Sequence, residues 1–278
     1  MSKLLKASLL MGLLIGCCDG STTLRARSTE KQSQLHLPSK TNVWIYVMAG
    51  QSNMAGRAAI EAQDRTEDTR ILTLTKDNEV ALAKEPLHFY EPSSSGLDCG
   101  VSFGLEMLNH IPKDVSVLLV PTAVGGSSIV QWINDETHRE VRLMGNFRER
   151  VGVATKYGTL KGILWHQGEA DAHRDETIVS YESNMVTLFD IFREISGDTS
   201  LPIVVGHLGS FAQNQENWDR INTAIDAYAN SDAFCSTVET SDLDHKGDRI
   251  HFDSKGQRCL GKRYATTIIK MTKGIDNE

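Results

Sequence analysis

The sequence lacks any apolar run near the roughly 18 residues that a membrane-spanning helix needs. It also lacks an excess of basic charge: 29 lysines and arginines face 36 aspartates and glutamates, for a formal net charge of −7. A phosphate backbone is met by a clustered basic surface, so this balance argues against a nucleic-acid partner. Prolines number only 6 beside 22 glycines, which excludes collagen-like and proline-rich chains. No Cys-x-x-Cys pair occurs, and no internal repeat. What is present is enough for a core. At 40% hydrophobic residues the chain is too apolar for a disordered tail, and its length suits one large domain or two small ones.

The first residues have a composition of their own. Lys3 and Lys6 form a short basic stretch, Ala7 to Ile15 is apolar, and Leu14-Ile15-Gly16-Cys17 follows. This is the order of an export signal, and it resembles the bacterial lipobox, in which the cysteine is lipidated and everything before it removed. Residues 1–16 are therefore expected to be a lipoprotein signal peptide, with lipid carried on Cys17. An ordinary secretory signal cut near the same point is the alternative. The protein is expected to be exported, periplasmic or on the cell surface, and to meet the membrane only through this anchor. Loss of residues 1–16 removes two lysines and moves the charge from −7 to −9. Residues 17–41 are rich in Ser, Thr, Gln, Lys and Arg without apolar periodicity, and read as a polar tether. Residues 42–278 read as one folded domain, with no second linker.

Beyond Cys17 and Cys18 the chain has Cys99, Cys235 and Cys259. An oxidising compartment allows a disulfide. Cys235–Cys259 is the expected pair, with Cys99 free, although three cysteines define no connectivity and all can be buried thiols.

From Val43 strand-like and helix-like segments alternate. Val43–Met48, Val115–Pro121, Gly162–Trp165 and Pro202–Gly206 are continuous apolar runs, as in strands covered on both faces of a parallel sheet. Helix-like stretches fall at 103–110, 139–157, 181–195, 218–230 and 255–272. In the third, Met185, Leu188, Phe189 and Phe192 share one helical face. The alternation predicts an α/β sandwich with a mainly parallel sheet.

In such folds reactive side chains gather beyond the carboxyl ends of strands. Gly50-Gln51-Ser52-Asn53-Met54, Ala123-Val124-Gly125-Gly126-Ser127-Ser128 and His166-Gln167-Gly168-Glu169-Ala170-Asp171 each follow a predicted strand, and Asp248-Arg249-Ile250-His251 precedes the last helix. Ser52 stands where a hydroxyl can be exposed. A serine needs a neutral imidazole to take its proton, and His251 is the candidate. Asp248, three residues earlier, can reach one ring nitrogen while the other faces Ser52. Candidate donors to a developing oxyanion are the Ser52 N–H, an N–H of the Gly125-Gly126 pair, where no Cβ obstructs approach, and the Gln167 amide.

Together these segments resemble the SGNH hydrolase superfamily, and more narrowly the sialate O-acetylesterase-like and acetyl xylan esterase group, carbohydrate esterase family 6. The resemblance rests on Gly50-Gln51-Ser52-Asn53-Met54-Ala55-Gly56-Arg57, Gly125-Gly126-Ser127-Ser128-Ile129 with Trp132, Trp165-His166-Gln167-Gly168-Glu169-Ala170-Asp171, and Asp248 to His251, in that order. It implies a flavodoxin-like three-layer α/β/α fold and ester hydrolysis without metal or other cofactor. It implies Ser52 as nucleophile, His251 as base and then acid, and Asp248 as its orienting partner. The oxyanion hole would come from Ser52, Gly126 and Gln167. Glu169 would support the histidine or brace its loop, and Asn53 and Arg57 would brace the nucleophile turn. The implied substrate is an acetylated carbohydrate, xylan-like or another glycan.

Two other readings compete. His166, Glu169 and His173, or the crowd of Asp242, Asp244, His245, Asp248, His251 and Asp253, contain metal-ligating residue types. No zincin spacing occurs, however, and Lys246 and Arg249 spoil a calcium loop. A non-catalytic carbohydrate-binding lipoprotein would instead use Trp132, Trp165 and Trp218 to stack on sugars, but it would be expected to have a broken triad.

Overall fold

The computed structural model describes residues 37–275. The expected signal peptide, Cys17 and most of the expected tether lie outside the described residues. In chain order the elements are β1 (Val43–Gly50), α1 (Ser52–Ala55), β2 (Ile71–Leu74), β3 (Val80–Leu82), α2 (Gly100–Met107), β4 (Ser116–Pro121), α3 (Ile129–Ile133), β5 (Thr137–His138), β6 (Val141–Arg142), α4 (Leu143–Ala154), β7 (Thr159–His166), α5 (Asp175–Val179), α6 (Tyr181–Ser196), β8 (Ile203–Gly206), α7 (Gln215–Ser231), β9 (Cys235–Val238) and α8 (Ser254–Ile275).

Seven strands form one sheet in the order β3-β2-β4-β1-β7-β8-β9. Every pairing is parallel except that of β2 with β3. β1 lies in the middle and is buried along its length except at Trp44, which is why it reads as a continuous apolar run. Its side chains alternate between two cores. Tyr46 and Met48 join Phe103, Leu260, Tyr264 and Ile268 beneath α2 and α8. On the other face Trp132, Phe147, Trp165, Phe189 and Phe192 form a cluster of stacked and edge-on rings beneath α3, α4 and α6. Each such large side chain contributes roughly 1.5–3 kcal/mol by leaving water. The result is the three-layer α/β/α sandwich with a mainly parallel sheet. Chain order reverses across β1, so the loops after β1, β4 and β7 converge at one edge of the sheet.

The structure corrects some local expectations. The helix expected from 139 begins at Leu143, because Arg139 and Glu140 adopt positive φ angles of 47° and 66° in the turn joining β5 and β6. The helix expected from 103 begins at Gly100, whose N–H donates to Asp98 Oδ1 at 2.7 Å. The expected Cys235–Cys259 disulfide is absent: among the described residues Cys99, Cys235 and Cys259 are free thiols. Val238 and Cys259 belong to the core beneath α8. Cys235, three residues from Val238 on an alternating strand, points to the opposite face.

Candidate active site

Gly50 closes β1 with φ at +130°, and a Cβ there would lie 2.1 Å from the His166 carbonyl oxygen. Only glycine lets β1 and β7 end in this contact. The Gln51 N–H then donates to His166 O at 2.9 Å, and the chain turns into α1 at Ser52. Ser52 lines a cleft of about 820 Å³ together with Gly125, Gly126, Glu169 and His251.

Three of the expected residues form one hydrogen-bonded chain. His251 Nε2 is 3.0 Å from Ser52 Oγ, and His251 Nδ1 is 2.7 Å from Asp248 Oδ2. Asp248 Oδ1 accepts the N–H groups of Ile250 and His251, so the carboxylate also shapes the turn that carries the histidine. Partial burial pushes the Asp248 pKa up, but these two N–H bonds, the ring bond and the His251 charge outweigh it and hold the carboxyl well below its usual range. An ionised Asp248 places the imidazole proton on Nδ1, leaving Nε2 to accept from the Ser52 hydroxyl. Burial lowers the pKa of His251, helped by Lys246 and Arg57 and opposed by the Asp248 bond and charge. The net shift is downward, so the ring is neutral at pH 7.

Asn53 joins the nucleophile turn to the histidine loop. Its Nδ2 donates to Glu169 Oε1 at 2.6 Å and to Ile250 O at 3.0 Å, and its Oδ1 accepts the Phe252 N–H at 3.1 Å. The residues on both sides of His251 are thus held by the neighbour of Ser52. Glu169 bonds Asn53 and does not bond His251, which places it in the brace. Its burial pushes the carboxyl up to about 7, against the lowering bond from Asn53.

Of the two glycines, Gly125 is occupied: its N–H donates to Glu91 Oε2 at 2.6 Å. Gly126, with φ at +75°, has an N–H without a partner among the described residues, as does Ser52. The third expected oxyanion donor fails. Gln167 is wholly buried, and its Nε2 is directed at Gln51 Oε1, Ser127 O and Asp171 Oδ2. Its carbonyl oxygen accepts from Tyr181. The amide ties three loops together beneath the cleft and has no hydrogen left for a substrate.

Glu91 is a site residue that the sequence reading missed. It pairs with Arg57 Nη2 at 2.6 Å and with Arg139, and it accepts the Gly125 N–H. The Arg57–Glu91 pair packs over Gly125 so closely that a Cβ there would meet Arg57 at 2.2 Å. The pair therefore fixes the backbone that presents Gly126. Glu91 sits in a serine-rich loop with no motif around it, so only the fold reveals it.

The rival constellations are not assembled. Among the described residues no group of three or more His, Cys, Asp or Glu side chains could hold a metal. His166 is fully buried, its pKa pushed down to about 3 by burial and by His207, whereas His173 is exposed. Trp132 and Trp165 are wholly buried, and Trp218 is nearly so.

Residues 42–270 match the family described as carbohydrate esterase, sialic acid-specific acetylesterase. A probable carbohydrate esterase of Arabidopsis thaliana is 28% identical over 243 residues, spanning 81% of this chain and 90% of that protein. A crystal structure of a protein from the same plant aligns with a TM-score of 0.73 at 26% identity, covering 83% of this chain and 98% of that one. The structure of NanS aligns with a TM-score of 0.69 at 14% identity, over 86% of this chain and 100% of that one. A carbohydrate acetylesterase from Xanthomonas citri aligns at 0.64 and 18% identity, over 84% of this chain and 57% of that one. At these last two identities the likeness is one of fold.

Proposed function

The chain belongs to the carbohydrate esterase, sialic acid-specific acetylesterase family and is a carboxylic ester hydrolase; from that premise we propose that it removes O-acetyl groups from carbohydrates through an acyl-enzyme on Ser52. The observation that carries this reading is the continuous Ser52–His251–Asp248 hydrogen-bonded chain at the cleft. His251 takes the Ser52 proton as Oγ attacks the acetyl carbonyl. The Ser52 and Gly126 N–H groups stabilise the negative oxygen of the tetrahedral intermediate. His251 then gives the proton to the departing sugar oxygen. Water, activated by the same ring, releases acetate and restores the serine.

We propose a neutral acetylated glycan, xylan-like or of similar polarity, as substrate. The cleft cations support this. Arg57 and Arg139 share one carboxylate, Glu91, and Lys246 lies 3.6 Å from Asp248, so two carboxylates offset most of the charge of these three cations.

The mechanism is tested by trapping. A fluorophosphonate is expected to label one residue, with activity lost in step, and peptide mass spectrometry should place the label on Ser52. Full activity in unlabelled or Ser-modified protein alike would overturn the acyl-enzyme. The pH profile gives a second check. The base must be unprotonated, so kcat/KM should fall in acid, with its limb below the ~6.5 of an ordinary imidazole because burial lowers the His251 pKa. A limb centred near 7 would instead report Glu169. We also propose export and lipid anchoring at Cys17. In a bacterial host Cys17→Ala should move the protein from the detergent phase to the aqueous phase, and unchanged partitioning would remove the anchor.

A further inference from the structure

A second cavity, of about 550 Å³, lies against the Asp248–Ile250 segment. It shares Glu169, His173 and Ile250 with the reaction cleft, so the two adjoin, with Ile250 as a 45% exposed ridge between them. Each is separately the size of a small-ligand site, ~300–1,000 Å³. Ser52 lines the first cavity and not the second, so an ester reaches the serine from the first alone and the second space adjoins it.

The lining of this cavity says what it would take. Trp218 lines it and packs edge-on against Phe211 with ring centroids 5.7 Å apart. Around it stand Gln213, Asn214 and Arg249. The Gln213 amide, the Asn214 Nδ2 and the Arg249 terminal nitrogens hydrogen-bond no described residue, so their donors and acceptors face solvent. A fatty acyl chain would strand these groups, because burying an unpaired polar group costs free energy. Sugar hydroxyls, each a donor and an acceptor, satisfy them. The backbone beneath is already fixed. Asn214 caps α7 through its Oδ1, and the Arg249 N–H donates to His245 Nδ1 at 3.1 Å. A fixed backbone leaves only the side chains to be ordered on binding.

We propose that this cavity is a second sugar subsite, seating the residue next to the acetylated one, so that the substrate is an oligosaccharide or polysaccharide chain and not a free sugar ester. The inference rests on the esterase reading for its substrate but is tested apart from it. Paired probes serve: acetylated methyl xyloside against acetylated xylotriose, and matched one-sugar and three-sugar acetates of mannose, glucosamine and sialylated lactose.

In the wild-type chain at least one pair should show kcat/KM per ester about tenfold higher for the longer member. The double variant Gln213→Ala/Asn214→Ser, which keeps a capping hydroxyl, should lose that preference, and p-nitrophenyl acetate turnover should stay within about twofold; the loss equals roughly two hydrogen bonds. No preference in any pair, or a preference that survives the variant, would overturn the subsite. Calorimetry on the Ser52→Ala chain reads the same question without turnover. The favoured three-sugar probe should bind about tenfold tighter than its one-sugar partner, and equal affinities would sink the inference. Absent p-nitrophenyl acetate hydrolysis would instead sink the esterase reading.

Discussion

Alanine at position 52 is expected to lower kcat for acetyl ester hydrolysis by on the order of 10⁵–10⁶-fold, the scale on which serine-hydrolase nucleophiles act. In the proposed mechanism the removed atom is the one that attacks. What remains is a cleft with an oxyanion-binding backbone, which by itself gives a residual acceleration over water of ~10³–10⁴. The fold should be untouched, because Ser52 Oγ bonds only His251 among the described residues, and α1 is closed by the Gln51 carbonyl accepting the Met54 and Ala55 N–H groups. The measurement is steady-state turnover of p-nitrophenyl acetate beside a thermal melt. An unchanged melting temperature with most of the activity retained would remove Ser52 from the chemistry.

Asparagine at position 248 is expected to cost about 10⁴-fold in kcat with little change in KM. The amide keeps one oxygen to accept the Ile250 and His251 N–H groups, so the turn survives. What is lost is the negative charge that holds the imidazole proton on Nδ1 and stabilises the imidazolium. Because Asp248 raises the His251 pKa, its neutralisation should also move the acid limb of the residual activity to lower pH. Glu169→Gln is the matching control. Glu169 touches Asn53 and not the ring, so turnover should stay within about tenfold. A small loss in the first variant and a large one in the second would make Glu169 the partner of the base.

Much of this candidate site could be read from the sequence because the side chains it brings together lie in short contiguous segments, most of them at predicted strand ends. Ser52 follows an unbroken apolar strand, and Asp248 and His251 are three residues apart on one turn. Gln167 was misread for a physical reason. A side chain at a strand end can point up into a cleft or down between loops, and the deciding partners, Gln51, Ser127 and Asp171, lie 116, 40 and 4 residues away. Glu91 was missed because its partners Arg57 and Arg139 are 34 and 48 residues off and its third contact is a backbone N–H, which no residue type signals. In the fold, the central strands were legible and the outer ones less so. β2 and β9 have only four residues each, with Thr73 in one and Ser236-Thr237 in the other, so neither shows a long apolar run. The cysteine pairing failed because spacing along a chain does not tell which face of a sheet a thiol occupies.

The brace at Asn53 has a consequence for the order in which the enzyme is made. Its partners Ile250 and Phe252 lie 197 and 199 residues downstream, and His251, the proposed base, lies between them. The nucleophile turn and the glycine backbone are therefore synthesised more than a hundred residues before His251, whereas β9 precedes it by only a short loop. Until the loop after β9 docks on Asn53, Ser52 has no imidazole beside it, so in the proposed mechanism activity appears only once that long-range contact has formed.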